Sequence, residues 1–397
     1  MQLMVTDQTR RRLLFGALGS VALRPLSAVV AGSTLLGGCS WNGGSGAANS
    51  TMGSARGISA NSASAGQAAI VGCSRQPDGG YSVVVASDDG APLYQMALPD
   101  RGHGVALQPN GSLAAAFSRR PGSYLQVFDY RQGRAWPIYT APSDRHFYGH
   151  GVFSPDGKYL YATEGARQTS QGVIGVYELG GSASGQLEKV AEFSGFGIGP
   201  HEVVLADDQT LAIGVGGVHT RGRTPLNLDT MQPALVYLDR ETGDVVDRAV
   251  LADKQLSIRH LTVTDTGEIA CGQQYRGHPE DAAPLVAFHR KGEGGMLKPL
   301  LAEEEQWLRF NHYIASIASL DGYLLATSPR GNCYGIWHEA SRELIELRPL
   351  VDASGVGVKD GKWLVGSGAG KVLSIYPPKE VAAVQSPVMW DNHWNIL

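Results

Sequence analysis

Five histidines occur in one repeated sequence setting. His103, His150, His201 and His260 each stand before a short apolar run and a turn signal, and the last segment of the chain repeats the setting at His393. Imidazole is the commonest transition-metal ligand in proteins and suits iron, copper, zinc and nickel. These histidines are far apart in the sequence, so only a fold that joins distant segments could assemble them into one site.

Other polar residues stand beside these histidines. We predict a single Fe or Cu ion held by three or four imidazoles, with water or Glu202 completing its coordination. Arg101 and Arg259 would suit an anion such as a carboxylate chelate of a metal, citrate or a haem propionate. The alternative stays open that each histidine only hydrogen-bonds a neighbouring strand and sets its register.

The elements that must position these residues are short strands. Strand-like runs alternate with turn signals such as Pro155-Asp156-Gly157, and the histidine setting recurs every 40–60 residues, roughly the length of a β-propeller blade. Ala315–Gly322 and Ser354–Gly361 keep the setting without a histidine. We predict an all-β, seven-bladed propeller over residues 67–397, with six blades as the rival count.

Ring closure follows from the two ends of this domain. Only one short strand, Trp394–Leu397, follows the last marker, and three strands (Ala68–Cys73, Tyr81–Ser87 and Pro92–Leu98) precede the first complete unit. Pairing the C-terminal strand with the N-terminal blade would remove both open sheet edges. The first strand of each blade lines the central channel of a propeller, so the five histidines should meet near one mouth.

The N-terminal segment is typical of an export signal. Thr9–Gly16 resembles a twin-arginine signal, and Leu36–Cys39 resembles a lipobox that ends at Cys39. We predict a signal peptide over residues 1–38, lipidation of Cys39, and a Gly/Ser-rich tether over 39–66. Ser40 after the cysteine favours the outer membrane, so we expect a periplasmic protein that touches the membrane only through its lipid anchor.

Composition excludes several classes of function. The chain has 397 residues, 43% hydrophobic and 18% charged, with a formal net charge of −4, which fits a folded domain and argues against nucleic-acid binding. Beyond Cys39 three cysteines remain, which are either buried and inert or include one disulfide. There is no G-x-S-x-G, P-loop or H-E-x-x-H motif, so no enzyme class is assigned.

A family resemblance rests on several segments taken together. They are Gly197–Val203, Thr220–Asp239, Ser257–Val263, Pro284–His289, Tyr313–Ala318 and Ser328–Asn332. With them the chain resembles the Gram-negative, twin-arginine-exported propeller family catalogued as domain of unknown function fifteen-thirteen, a relative of YVTN and quinoprotein-like propellers. The resemblance implies a role in periplasmic iron handling, with imelysin-like or di-haem proteins as partners.

The leading hypothesis is therefore a non-enzymatic propeller that binds a metal, a metal chelate or a partner protein at a histidine-lined channel mouth, in iron homeostasis. A quinoprotein-like oxidoreductase or lyase is the first alternative, with a ring histidine as base and an arginine as anion clamp. A pure interaction scaffold with structural histidines is the second.

Overall fold

The computed structural model describes residues 68–180, 185–378 and 380–397. The predicted signal peptide, the tether and the lipidation site at Cys39 lie outside the described residues. Within those residues the chain forms seven antiparallel sheets of the blade type and one small hairpin. This confirms the all-β, seven-bladed propeller and excludes the six-blade count.

The strands follow one another blade by blade. The first three blades contain β1 (Ile70–Arg75), β2 (Tyr81–Ala86) and β3 (Pro92–Leu98); β4 (Gly102–Leu107), β5 (Leu113–Ser118), β6 (Tyr124–Asp129), β7 (Arg134–Ala135) and β8 (Tyr139–Thr140); and β9 (Arg145–Phe153), β10 (Tyr159–Ala166), β11 (Gln171–Leu179) and β12 (Leu187–Ile198). The fourth blade contains β13 (Pro200–Asp207) and β14 (Thr210–Val215), then a loop with the hairpin β15 (Thr220–Arg221) and β16 (Thr224–Pro225) and a 3₁₀ turn (Leu228–Thr230), then β17 (Ala234–Asp239) and β18 (Val245–Ala249).

The last three blades contain β19 (Leu256–Val263), β20 (Ile269–Tyr275), β21 (Val286–His289) and β22 (Lys298–Pro299); β23 (Ser316–Leu320), β24 (Tyr323–Ser328), β25 (Cys333–His338) and β26 (Leu344–Pro349); and β27 (Ala353–Lys359), β28 (Lys362–Ser367), β29 (Lys371–Tyr376) and β30 (Glu380–Gln385). The chain ends with β31 (Met389–Ile396). A short helix, α1 (Glu304–Arg309), precedes the sixth blade and begins with a capping box between Glu303 and Gln306. No helix within the described residues is long and apolar enough to span a membrane.

The last strand closes the ring. β31 is the inner strand of the first blade, antiparallel to β1, with Ile70 opposite Ile396 and Gly72 opposite Trp394. This is the predicted closure, although β31 begins at Met389, earlier than the predicted strand at Trp394. Each blade's inner strand also contacts the inner strands of its two neighbours, from β31 through β4 and round to β27. The inner strands therefore form a continuous wall around one axis.

Two details differ from or refine the sequence expectation. The outermost strand of the second blade is split into β7 and β8 around Pro137, which has no backbone N–H to donate to the ladder. Within the described residues the three cysteines are all free and buried, in agreement with the inert alternative.

Candidate metal centre

All five predicted histidines lie on inner strands and meet in one cluster. His103 lies on β4, His150 on β9, His201 on β13, His260 on β19 and His393 on β31. Their exposed fractions are 2–8%, and the distances between neighbouring ring centroids are 4.5–5.8 Å. We call this set the histidine cluster. Five blades supply it, and the sixth and seventh, whose markers lack histidine, do not.

A β-bulge accompanies each of these histidines. The pairing register shifts around His103 between Gly102 and Val105, and it also shifts around His150, His201 and His393 and immediately before His260. A bulge leaves an unpaired residue on one strand and re-aims its side chain. In a regular strand, a residue and its neighbour point to opposite faces of the sheet. The bulges break this alternation next to the histidines and let the imidazoles point toward the axis.

Glycines permit the close packing of the rings. A Cβ on Gly104 would lie 2.6 Å from the carbonyl oxygen of Gly149, and a Cβ on Gly149 would lie 2.7 Å from the His103 ring. Gly149 also has a φ of 107°, a conformation that favours glycine. The glycines beside His103 and His150 thus let two inner strands approach until their imidazoles touch.

A threonine fixes two of the histidine strands relative to each other. The Thr163 hydroxyl, on β10, lies 3.1 Å from the His150 carbonyl oxygen and 2.9 Å from the His201 carbonyl oxygen. It is fully buried. The third and fourth blades are therefore linked through the backbone of the cluster itself.

Burial keeps the imidazoles neutral. It lowers the pKa of His150 to about 4 and that of His260 to about 3. The pKa values of His103, His201 and His393 are also far below the ordinary value, because of burial first and the neighbouring imidazoles second. At neutral pH each ring therefore has one nitrogen lone pair available to a Lewis acid.

Glu202 supports the cluster from one side. Its carboxylate accepts the Leu261 backbone N–H at 2.9 Å and lies 3.3 Å from His260 Nδ1 and 3.6 Å from His150 Nδ1. Burial raises the pKa of this carboxyl, and His150 opposes the shift. Imidazole N–H groups directed at Glu202 leave Nε2 of both rings as the lone-pair nitrogen. Glu202 is thus within hydrogen-bond distance of His260 and within ion-pair distance of His150, and its predicted role as a metal ligand stays a prediction.

Several nitrogens of the cluster have no hydrogen-bond partner in the described part of the chain. They are His103 Nδ1, His150 Nε2, His201 Nδ1 and His393 Nε2. Two triads have ligand atoms within 4.8 Å of one another: His103, His150 and His201, and His150, His260 and His393. Either triad could hold a metal ion, and His150 belongs to both.

A polar cavity of about 440 Å³ opens onto the cluster, and His103 and His201 form part of its wall. Its other walls are dominated by guanidinium groups, and we call it the arginine chamber. Its arginines are Arg101, Arg119, Arg120, Arg223, Arg259, Arg276 and Arg330. Among the residues that the structure describes, no acidic side chain lines this cavity.

The chamber arginines differ in their surroundings. Arg101 is 41% exposed and forms an ion pair with the buried Asp391, at 2.6 Å. Arg259 is only 3% exposed, and burial lowers its pKa, with Arg120 and Arg276 adding to the shift. Burial likewise lowers the pKa values of Arg119, Arg120 and Arg276. The positive charges are held close together in a partly dehydrated space.

The sequence matches, over residues 96–397, the family described as "Protein of unknown function (DUF1513)". The chain belongs to this family. Among solved structures it is similar to "Kuenenia stuttgartiensis Hydrazine Synthase", with 16% identity and a TM-score of 0.55, covering 80% of this chain and 95% of that one. It is also similar to BamB from Moraxella catarrhalis, with 14% identity and a TM-score of 0.47, covering 79% and 87%. At this identity the hydrazine synthase likeness shows the fold alone. No curated protein matches the sequence.

In this DUF1513 chain, several arginines lie in the loops that follow the second strands of the blades, and only some of them line the chamber. Arg119, Arg120, Arg223, Arg276 and Arg330 line the chamber together with the two arginines predicted to bind an anion, Arg101 and Arg259. Arg167 and Arg221 do not line it. Glu164 lies within the third blade, where it accepts hydrogen bonds from Tyr177 at 2.6 Å and Lys189 at 2.8 Å.

Sequence reasoning missed five other wall residues of the DUF1513 chamber: Tyr148, Gln274, Tyr313, Pro329 and Asn392. Tyr148 and Asn392 stand next to cluster histidines in the sequence, so their proximity was available as a signal. Gln274 and Tyr313 carry no such signal. The long loop between β14 and β17 contributes Arg223, and its Thr220 hydroxyl lies 3.2 Å from Arg120 Nη1, so the loop bridges to the second blade.

Proposed function

We propose that this protein binds a transition-metal ion in the histidine cluster. The observation that carries the proposal is the convergence of four partnerless imidazole nitrogens in a buried space. A buried polar atom without a partner costs about 1–3 kcal/mol, so several in one place are expensive to keep for structure alone. A metal ion would satisfy them together.

The donor set matches a borderline metal. Imidazoles without thiolates suit zinc, copper, iron and nickel, and none of the three described cysteines belongs to either triad. Nitrogens around a zinc-like ion lie about 2.0–2.1 Å from the metal and hence about 3–4 Å apart. The ligand atoms of each triad fall within 4.8 Å of one another, so modest side-chain movement would bring them to binding distance.

Protonation also favours binding. Metal ions compete with protons for imidazole lone pairs, so an exposed histidine site weakens as the pH falls through the ordinary pKa. Here burial lowers the pKa of His150 to about 4. The cluster therefore offers neutral ligands at pH 7 without releasing a proton.

The test is metal binding by the purified full-length chain and by two histidine variants. His150→Ala removes the imidazole shared by both triads, and His278→Ala removes an exposed histidine outside the cluster. Metal content is measured by mass spectrometry, and affinities for Zn²⁺, Cu²⁺ and Fe²⁺ by competition with a chelating dye. We expect one ion per chain in wild type and His278→Ala, and about 100-fold weaker binding or more in His150→Ala.

Two results would contradict the proposal. Equal binding by wild type and His150→Ala would remove the cluster as the site. Absence of binding by wild type to all three metals would favour the scaffold alternative with structural histidines. If the ion binds in the cluster, His103→Ala and His260→Ala identify which triad holds it, because each variant removes a ligand from only one triad.

We further propose that the chain is exported to the periplasm and anchored to the outer membrane, and that its metal is iron. Arg10-Arg11, the Leu36–Cys39 segment and the family resemblance support this setting. Imelysin-like or di-haem periplasmic proteins are the proposed partners. Fractionation of cells expressing wild type and Cys39→Ser is the test: the wild type should sediment with outer membranes, and the variant should be released in soluble form.

A further inference from the structure

The arginine chamber holds more positive charge than its surroundings neutralise. In the part of the chain that the structure describes, Asp391 is the one carboxylate in ion-pair contact with a chamber arginine, and it pairs with Arg101. Three of the other chamber arginines contact neutral side chains. Arg120 lies against the Thr220 hydroxyl, Arg276 donates to Gln274 Oε1 at 3.0 Å, and Arg330 stacks 4.5 Å from the Tyr313 ring centroid.

Unused donors point to a ligand. The Nε atoms of Arg259 and Arg276 are buried and have no hydrogen-bond partner, and Arg259 as a whole is only 3% exposed. Guanidinium groups present planar forks of N–H donors that fit carboxylate oxygens in pairs. A buried, partnerless arginine on the wall of a cavity therefore indicates an anion in that cavity.

The distribution of the arginines narrows the class of anion. They come from the second, fourth, fifth and sixth blades, so they reach the chamber from several directions. A single compact oxyanion would contact only some of them. A ligand with several separated carboxylates could pair with arginines on different walls, and about 440 Å³ lies within the roughly 300–1,000 Å³ typical of small-molecule pockets.

The chamber and the histidine cluster share two side chains. His103 and His201 line the chamber and also belong to the first metal triad. A divalent ion bound there would add positive charge beside seven arginines, which is unfavourable unless an anion accompanies it.

We propose that the arginine chamber binds a small polycarboxylate that caps the metal ion in the histidine cluster. This inference rests on the proposed metal binding for its capping part only. The anion-binding part follows from the arginines alone.

Citrate is the probe, measured by isothermal titration calorimetry on the metal-free full-length chain. The chamber variant is Arg223→Gln/Arg276→Gln, and its matched control, Arg134→Gln/Arg348→Gln, removes two exposed arginines that do not line the chamber. We expect one citrate site, weakened about tenfold or more in the chamber variant and changed less than about twofold in the control. Equal affinities in the two variants, or no citrate binding by wild type, would overturn the proposal.

Inorganic phosphate tests the class of anion. It should bind about tenfold more weakly than citrate, because one phosphate cannot reach arginines on separate walls. Phosphate binding as tight as citrate binding would overturn the polycarboxylate assignment.

The histidine variant separates this inference from the proposed metal binding. His150→Ala should lose metal yet bind citrate like wild type. Arg223→Gln/Arg276→Gln should bind metal added without citrate at least as tightly as wild type, because the substitutions remove two positive charges near the ion. The capping part predicts that metal-loaded protein binds citrate about fivefold more tightly or better than metal-free protein. Loss of the bound metal to citrate, or equal citrate affinity with and without metal, would overturn capping.

Discussion

Substitution of Glu202 tests whether its carboxylate sets the imidazole tautomers that leave a nitrogen free for a metal ion. It lies 3.3 Å from His260 Nδ1 and 3.6 Å from His150 Nδ1, and it accepts the Leu261 N–H. We predict that Glu202→Gln retains the fold, because the amide oxygen can still accept that backbone hydrogen bond. The amide N–H₂ would then face an imidazole Nδ1 and favour the tautomer with its proton on Nε2. That proton occupies the nitrogen we assign to the metal.

The expected magnitude follows from similar arrangements. Removal of a hydrogen-bond partner behind a metal-bound histidine weakens metal binding by about 10–100-fold. At 25 °C this is about 1.4–2.7 kcal/mol of binding free energy. His150 belongs to both triads, so the loss should appear whichever triad holds the ion.

The assay is chelator competition at pH 7 on wild type, Glu202→Gln and the control Glu339→Gln. Glu339 is also buried, where the Ser319 hydroxyl donates to it at 2.6 Å, but it belongs to the sixth blade and does not contact a cluster histidine. The control should bind metal like wild type. The reasoning is refuted if Glu202→Gln binds as tightly as wild type, or if it loses the ion completely, since Glu202 would then be a ligand.

Three further outcomes follow from the structure. Burial lowers the pKa of His146 to about 4, so between pH 6.5 and 4 this ring is neutral in the folded chain but takes up a proton in the unfolded chain. The free energy of unfolding of wild type should therefore fall by roughly 3 kcal/mol over this pH range through this residue. Urea titrations of His146→Gln should show a correspondingly shallower decline. Trp394→Ala should lose roughly 3–5 kcal/mol in the same assay, because the indole packs against Gly355 and Gly366 of the seventh blade, while Met389→Ala, exposed on the same strand, should change little. The three described thiols should react with a disulfide reagent only after denaturation, because all three are buried, and rapid labelling of any of them in the native Cys39→Ser chain would contradict their placement. These thiols are Cys73, Cys271 and Cys333.

Repetition made the fold predictable from the sequence. A histidine or its substitute before a short strand and a turn recurs at blade spacing, and this periodicity located the inner strands without any knowledge of side-chain packing. The same argument identified His393, since the last segment repeats the marker. The fold and the convergence of the histidines both depend on the order and pairing of the strands. A repeated sequence unit specifies that order.

Side-chain direction beside the histidines was not predictable. In a regular strand, adjacent residues point to opposite faces, so Arg259 and His260 should not serve adjoining sites. The bulge between Ile258 and His260 breaks that alternation, and the Pro200–Val203 bulge does so around Glu202. A bulge is a property of two paired strands. A single sequence segment therefore does not reveal a bulge. It also does not reveal that Tyr313 and Gln274 line the same chamber.

The position of His393 on the final strand has a consequence for biosynthesis. β31 follows all the other described strands, so it can pair with β1 only after those strands have been synthesised, and its imidazole joins the other four last. An ion held by His393 and His150 would join the C-terminal strand to the third blade, and the terminal seam could open only after that ion had left. The concentration of the free ion would then determine how long the ring stays closed.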